Sequence, residues 1–121
     1  MTSNQVSGLE WAAFPESAGR VDLLLGHAVI LVAQWWDDPV ADDVFEAMGI
    51  AILLAAQYPA NTPIWVPGLA EMNLNESIDA ALIEVQEWDL GWATDLPDMT
   101  RLRVLLSDLR RELNADPKRR G

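Results

Sequence analysis

The chain has no cysteine, a single histidine, a single lysine and a single tyrosine among its 121 residues. Without cysteine there is no disulfide framework and no thiolate nucleophile, and with His27 as the sole imidazole a zinc site would have to be assembled largely from carboxylates. The sequence also lacks a glycine-rich phosphate loop and a serine set in a strand-to-helix elbow with a partner histidine. These absences lead us to expect a protein that is not an enzyme and carries no cofactor. Long apolar runs are missing too. The longest, Leu23 to Trp36, is broken by His27 and Gln34 and falls short of the roughly 20 residues needed to cross a bilayer. Met1 to Gly8 have neither the basic start nor the apolar centre of a signal peptide, so a cytoplasmic protein is expected. Arginine outnumbers lysine seven to one in a chain rich in Ala, Leu and Asp, a codon-driven bias that points to a bacterial or phage genome.

The most informative absence is one of charge. Between Val21 and Thr100 there are fourteen acidic residues and no lysine or arginine, whereas Arg101 to Gly121 hold seven basic residues against three acidic ones. The whole chain carries a formal charge of −11. Such a surface repels phosphate backbones and anionic membranes, which excludes direct attachment to either. Part of the acidity can be neutralised if the basic C-terminal segment folds back. Seven positive charges cannot cancel sixteen negative ones, so an acidic surface must remain.

What is present is apolar and helical in its spacing. Half the residues are hydrophobic and six are tryptophan, enough to build a packed core. Residues 1–19 contain Gly8, Pro15 and Gly19 and are expected to form an irregular N-terminal arm, pinned through Leu9, Trp11 and Phe14. From Arg20 to Trp36 apolar residues cover nearly every side of a first helix, with Leu24, Ala28, Leu31 and Trp35 on one line. Asp37-Asp38-Pro39 then supplies a stop, a cap and a proline for the first position of a second helix that runs to about Gln57. Ala47, Ala51 and Ala55 give that helix a small-residue groove, which predicts a tight hairpin with the first. Three prolines between Pro59 and Gly68 predict a long loop, with Trp65 held extended and only partly buried.

Asn73 or Asn75 caps a third helix whose core face is Ile78, Ala81, Leu82, Val85 and Trp88. Gly91 and the 92–95 stretch end it. A fourth helix starts at Pro97 and turns Met99, Leu102, Leu105, Leu106, Leu109 and Leu113 inward, ending near Asn114. The fold class is therefore all-α, a small four-helix bundle at 20–114 with an irregular arm before it, a long Pro-rich loop between helices two and three, and a basic tail at 115–121.

Three groups of residues are candidates for chemistry or binding. His27, on an apolar helix, is expected to be a core or interface histidine bonded to a neighbour. Asp37, Asp38, Asp42, Asp43 and Glu46 could hold a divalent cation, but acids at a proline-marked helix start also cap it and complement its dipole. Glu84-x-x-Glu87 is similar to the first half of the carboxylate motif of small all-α nucleotide pyrophosphohydrolases. The run from Gly49 to Ala56 contains no acid to supply the second half, so the resemblance stops at two residues.

The expected function is that of an acidic protein-binding module that masks a basic surface of a partner protein, in the manner of immunity proteins, antitoxins or phage inhibitors. In one version Glu76, Asp79, Glu84 and Glu87 on the outer face of helix three imitate a row of phosphates. The expected contact residues are these four and Trp65, since tryptophan beside an acidic rim suits a basic partner. The alternatives are a small metal-dependent hydrolase using the carboxylates of helices two and three, and a homo-oligomer assembled through apolar helix one.

Overall fold

The computed structural model describes residues 2–35, 37–88 and 97–115, with side chains from Phe14 onward except those of Trp35 and Pro97. Among these residues there are four α-helices and no strand: α1 Thr2–Val32, α2 Pro39–Gln57, α3 Leu74–Glu87 and α4 Pro97–Ala115. The expected all-α bundle is what the chain forms. Gly91, Trp92, Thr94, Asp95, Trp36 and residues 116–121 of the basic tail lie outside the described residues, as do the side chains of Leu9 and Trp11.

The start of the chain corrects the expectation of an irregular arm. Residues 2–19 are helical and continuous with α1, which passes through Pro15. An interior proline removes one helical hydrogen bond and costs about 3 kcal/mol, but packing outweighs it here. Phe14, Ala18, Val21, Leu25, Ala28 and Val32 form one buried stripe. Phe14 meets Tyr58 and Trp88 edge-on, at ring-centroid distances of 5.1 and 4.9 Å. These contacts join the middle of α1 to the C-terminal ends of α2 and α3, and tertiary packing of this kind supports the helix on either side of the proline.

A 3₁₀ turn at Ala33–Trp35 closes α1. Asp38 then caps α2, its carboxylate accepting from the Val40 N–H at 2.8 Å, with Pro39 at the first helical position. Of the expected alanine groove Ala47 and Ala51 are buried and Ala55 is half-buried, and α2 packs on α1. Asn73 and Glu76 form a reciprocal capping box at the start of α3. Helix α1 packs on α2 and α3, and α4 packs on the same two, so the cyclic order is α1, α2, α4, α3. The core fills the centre, with Met99, Leu102, Leu106, Leu109 and Leu113 of α4 all buried.

Between α2 and α3, residues 58–73 contain one 3₁₀ turn, Leu69–Glu71, preceded by Gly68 in the left-handed region at φ 72°. The segment is docked on α1. Gly19 makes the docking possible, since a Cβ there would lie 2.7 Å from Ile64 Cγ1. A Cβ at Gly26, about two turns further on the same helix, would meet nothing within 4 Å. Gly26→Ala is therefore expected to raise stability by about 0.5–1 kcal/mol through helix propensity. Gly19→Ala should forfeit that gain and lower stability by about 1 kcal/mol or more, because Ile64 must lift away. Urea midpoints of the two variants measure the difference, and equal shifts would mean that Ile64 does not hold the loop.

Candidate functional site

The structure divides the four acids expected on the outer face of α3. Glu84 points toward α1, where its Oε1 accepts from Ser17 Oγ at 2.7 Å and its Oε2 from Arg20 Nε at 2.7 Å. Arg20 Nη2 adds a second bond at 3.0 Å, so the guanidinium grips the carboxylate with two nitrogens. Ser17 Oγ in turn accepts from Trp88 Nε1 at 2.8 Å, which satisfies the one polar atom of a nearly buried indole. The bond to Glu84 raises the Arg20 pKa still further, against the lowering effect of burial. Asp79 turns the other way and pairs with Arg110 of α4 at 2.9 Å. Asp79 and Glu84 thus fasten α3 to its two neighbours. Glu76 is exposed but gives one oxygen to the capping box, and Glu87 is exposed at the last residue of the helix.

Helix α4 supplies some of the missing counter-charge: Arg101 pairs with Glu46 of α2 as Arg110 does with Asp79. The carboxylates of α2 and α3 are not brought together, because Glu46 and Asp79 face α4 while Glu84 faces α1. At the start of α2, Asp38 is the cap and Glu46 is in its ion pair. Burial, followed by the nearby charges of Asp42 and Asp108, raises the Asp43 carboxyl above its ordinary 3.8. Among the described residues no group of three or more His, Asp or Glu side chains is placed to hold a metal ion.

Trp65 is the most exposed large apolar side chain among the described residues, at 76 %. Its loop is held to α1 by Thr62, whose Oγ1 donates to Glu16 Oε2 at 3.3 Å, by Ile64 over Gly19, and by His27, whose Nε2 donates to the Met72 carbonyl at 2.9 Å. Between this loop and α1 lies an open groove of about 450 Å³. Leu23, Ile64, Val66 and Leu69 give it apolar walls, Trp65 and His27 add rings, and Glu71 contributes a carboxylate. A smaller hollow of about 230 Å³ adjoins it across Gly68 and Glu71 and is bordered by Glu76. Of the expected contact residues, Trp65 and Glu76 therefore border neighbouring hollows, whereas Asp79, Glu84 and Glu87 line neither. Glu71 was not legible as a site residue. Its one signal is that it is the sole charged residue between Ala47 and Asn75.

Large apolar side chains are also exposed on α1 and α2, where Ile30 is 71 %, Leu53 56 % and Ile52 51 % exposed. Among the described residues no helix is long and apolar enough to cross a membrane. No protein-family model, curated protein or solved structure matches this chain.

Proposed function

We propose that this protein is a non-enzymatic, acidic protein-binding module of the bacterial or phage cytoplasm that masks a basic surface of a partner protein. The observation that carries the reading is Trp65, a large indole left in water on a loop that is itself anchored to the bundle. A mobile tryptophan would be an accident of the loop; an anchored one is a low-entropy contact, the kind that dominates interface energies. The uncompensated acids around it supply long-range attraction for a cationic partner. We place the contact at the Trp65 loop and its Glu71 and Glu76 border, rather than along all of α3, since Asp79 and Glu84 are engaged within the bundle. That engagement also removes support from the phosphate-row version and from a hydrolase using the carboxylates of α2 and α3.

Trp65→Ala is expected to leave the thermal midpoint unchanged and to weaken binding to a basic partner captured from the native host by about tenfold or more. Affinity should fall as salt rises from about 0.05 to about 0.5 M. A neutral or acidic partner, or salt-independent affinity, would sink the reading. A homo-oligomer through α1 is the second reading, favoured by the exposure of Ile30, and mass in solution tests it.

A further inference from the structure

We infer that the groove between α1 and the 59–72 loop is the seat of one arginine side chain of the basic partner, with the guanidinium set between the Trp65 indole and the Glu71 carboxylate. The inference rests on the binding-module reading and names the chemistry that the module recognises.

Size limits the occupant first. About 450 Å³ lies in the lower half of the range of ligand pockets, ample for an arginine side chain and too small for a helix. The lining then selects its chemistry. Leu23, Ile64, Val66 and Leu69 suit a methylene stem, while Trp65 offers an exposed π face and Glu71 a carboxylate. His27 spends its Nε2 proton on the Met72 carbonyl, so that nitrogen has no donor to offer an anion in the groove. The adjoining hollow adds the Glu76 carboxylate on the far side of the same turn. An anion would meet the Glu71 carboxylate here, and an uncharged stem would leave it unused.

The chain has no lysine or arginine from Val21 to Thr100 to place in the groove. Arg20, just upstream, is bound to Glu84, and Arg101, Arg110 and Arg111 are paired with Glu46, Asp79 and Asp108. These four arginines are thus held elsewhere in the bundle. Arginine fits better than lysine because its flat, weakly hydrated guanidinium can stack on an indole while its edge bonds a carboxylate, whereas an ammonium keeps its water and has no face. The receptor is also arranged in advance. Pro63 and Pro67 restrict the backbone on either side of Trp65. The Glu71 N–H donates to the Gly68 carbonyl at 3.1 Å, and the Met72 N–H to that of Leu69 at 3.1 Å, which holds the turn bearing Glu71.

The test uses the full chain labelled with ¹⁵N and three tripeptide probes, acetyl-Gly-Xaa-Gly-amide with arginine, lysine or citrulline in the middle. Citrulline has the shape of arginine without its charge. The arginine probe is expected to saturate, in the millimolar range typical of a single side chain, and to shift the Trp65 indole N–H and the Leu69–Met72 amides. The lysine probe should bind at least about threefold more weakly and citrulline should not saturate. Glu71→Gln should weaken the arginine probe at least about fivefold with an unchanged thermal midpoint, and Glu87→Gln should leave it unaltered. Equal binding of citrulline would overturn the inference in favour of an apolar slot. Equal losses for Glu71→Gln and Glu87→Gln would overturn it in favour of a diffuse acidic field. If the arginine probe does not saturate while Trp65→Ala still weakens capture of a basic partner, the seat is refuted and the binding-module reading stands. Saturation in the groove with no basic partner captured would leave the seat and refute the reading.

Discussion

Leu106→Asp is expected to cost about 4 kcal/mol or more and to leave much of the population unfolded, given that small domains have only about 5–15 kcal/mol of stability to lose. Leu106 is fully buried among Leu102, Leu109 and Leu113 of its own helix and the facing residues of α2 and α3. An aspartate there would either ionise without a counter-charge or take up a proton, and both routes cost several kcal/mol in addition to the lost apolar burial. Val104→Asp, on the same helix but 51 % exposed, supplies the control. It introduces the same residue with almost no change in helix propensity and should shift stability by no more than about 0.5 kcal/mol. Urea denaturation followed by circular dichroism separates the two. Comparable losses would mean that α4 is stabilised by local propensity and not by its leucine face.

Glu84→Lys should lower stability by about 2–4 kcal/mol, whereas Glu87→Lys, three residues further along α3, should change it by less than about 0.5 kcal/mol. The difference lies in what each carboxylate touches. Glu84 is 21 % exposed and accepts from Ser17 and twice from Arg20, so its loss leaves a half-buried guanidinium and a buried hydroxyl without their acceptor. A lysine in its place adds a like charge beside Arg20. Thermal denaturation of Arg20→Glu, Glu84→Lys and the double reversal forms a cycle, and the double variant should recover part of the loss. Additive effects would show that the bridge contributes little beyond its geometry.

Much of the architecture was legible because it depends on periodicity and on local chemistry. The starts of α2 and α3 were marked by residues whose side chains act within one turn: Asp38 accepts from Val40 N–H, Pro39 needs no amide partner, and Asn73 exchanges bonds with Glu76. The inward faces of α3 and α4 followed from i, i+3 and i+4 spacing, and Ile78, Leu82, Val85, Leu102, Leu106 and Leu109 are all buried. At Pro15 and Gly19 the same local reasoning failed. It weighed the cost of each residue within a helix and had no access to Phe14 meeting Tyr58 and Trp88, or to Ile64 requiring the space that Gly19 leaves.

By itself the sequence determined which residues turn inward, where the marked helices begin, and that the acids outnumber any cations able to reach them. Each of these is a property of one segment or of the whole composition, so no knowledge of neighbours is required. Only the tertiary structure decided which acids are spent. Glu76, Asp79, Glu84 and Glu87 look alike along the helix. The order in which the four helices pack puts Arg20 beside Glu84 and Arg110 beside Asp79, and it brings Glu71, which had no periodic pattern to mark it, onto the border of the groove with Trp65 and His27. Charge pairing acts over a few ångströms, while these partners are separated by up to 64 residues of chain. Which helix faces which is settled by the packing of the whole core, and that is why the pairing could not be read from any one stretch of sequence.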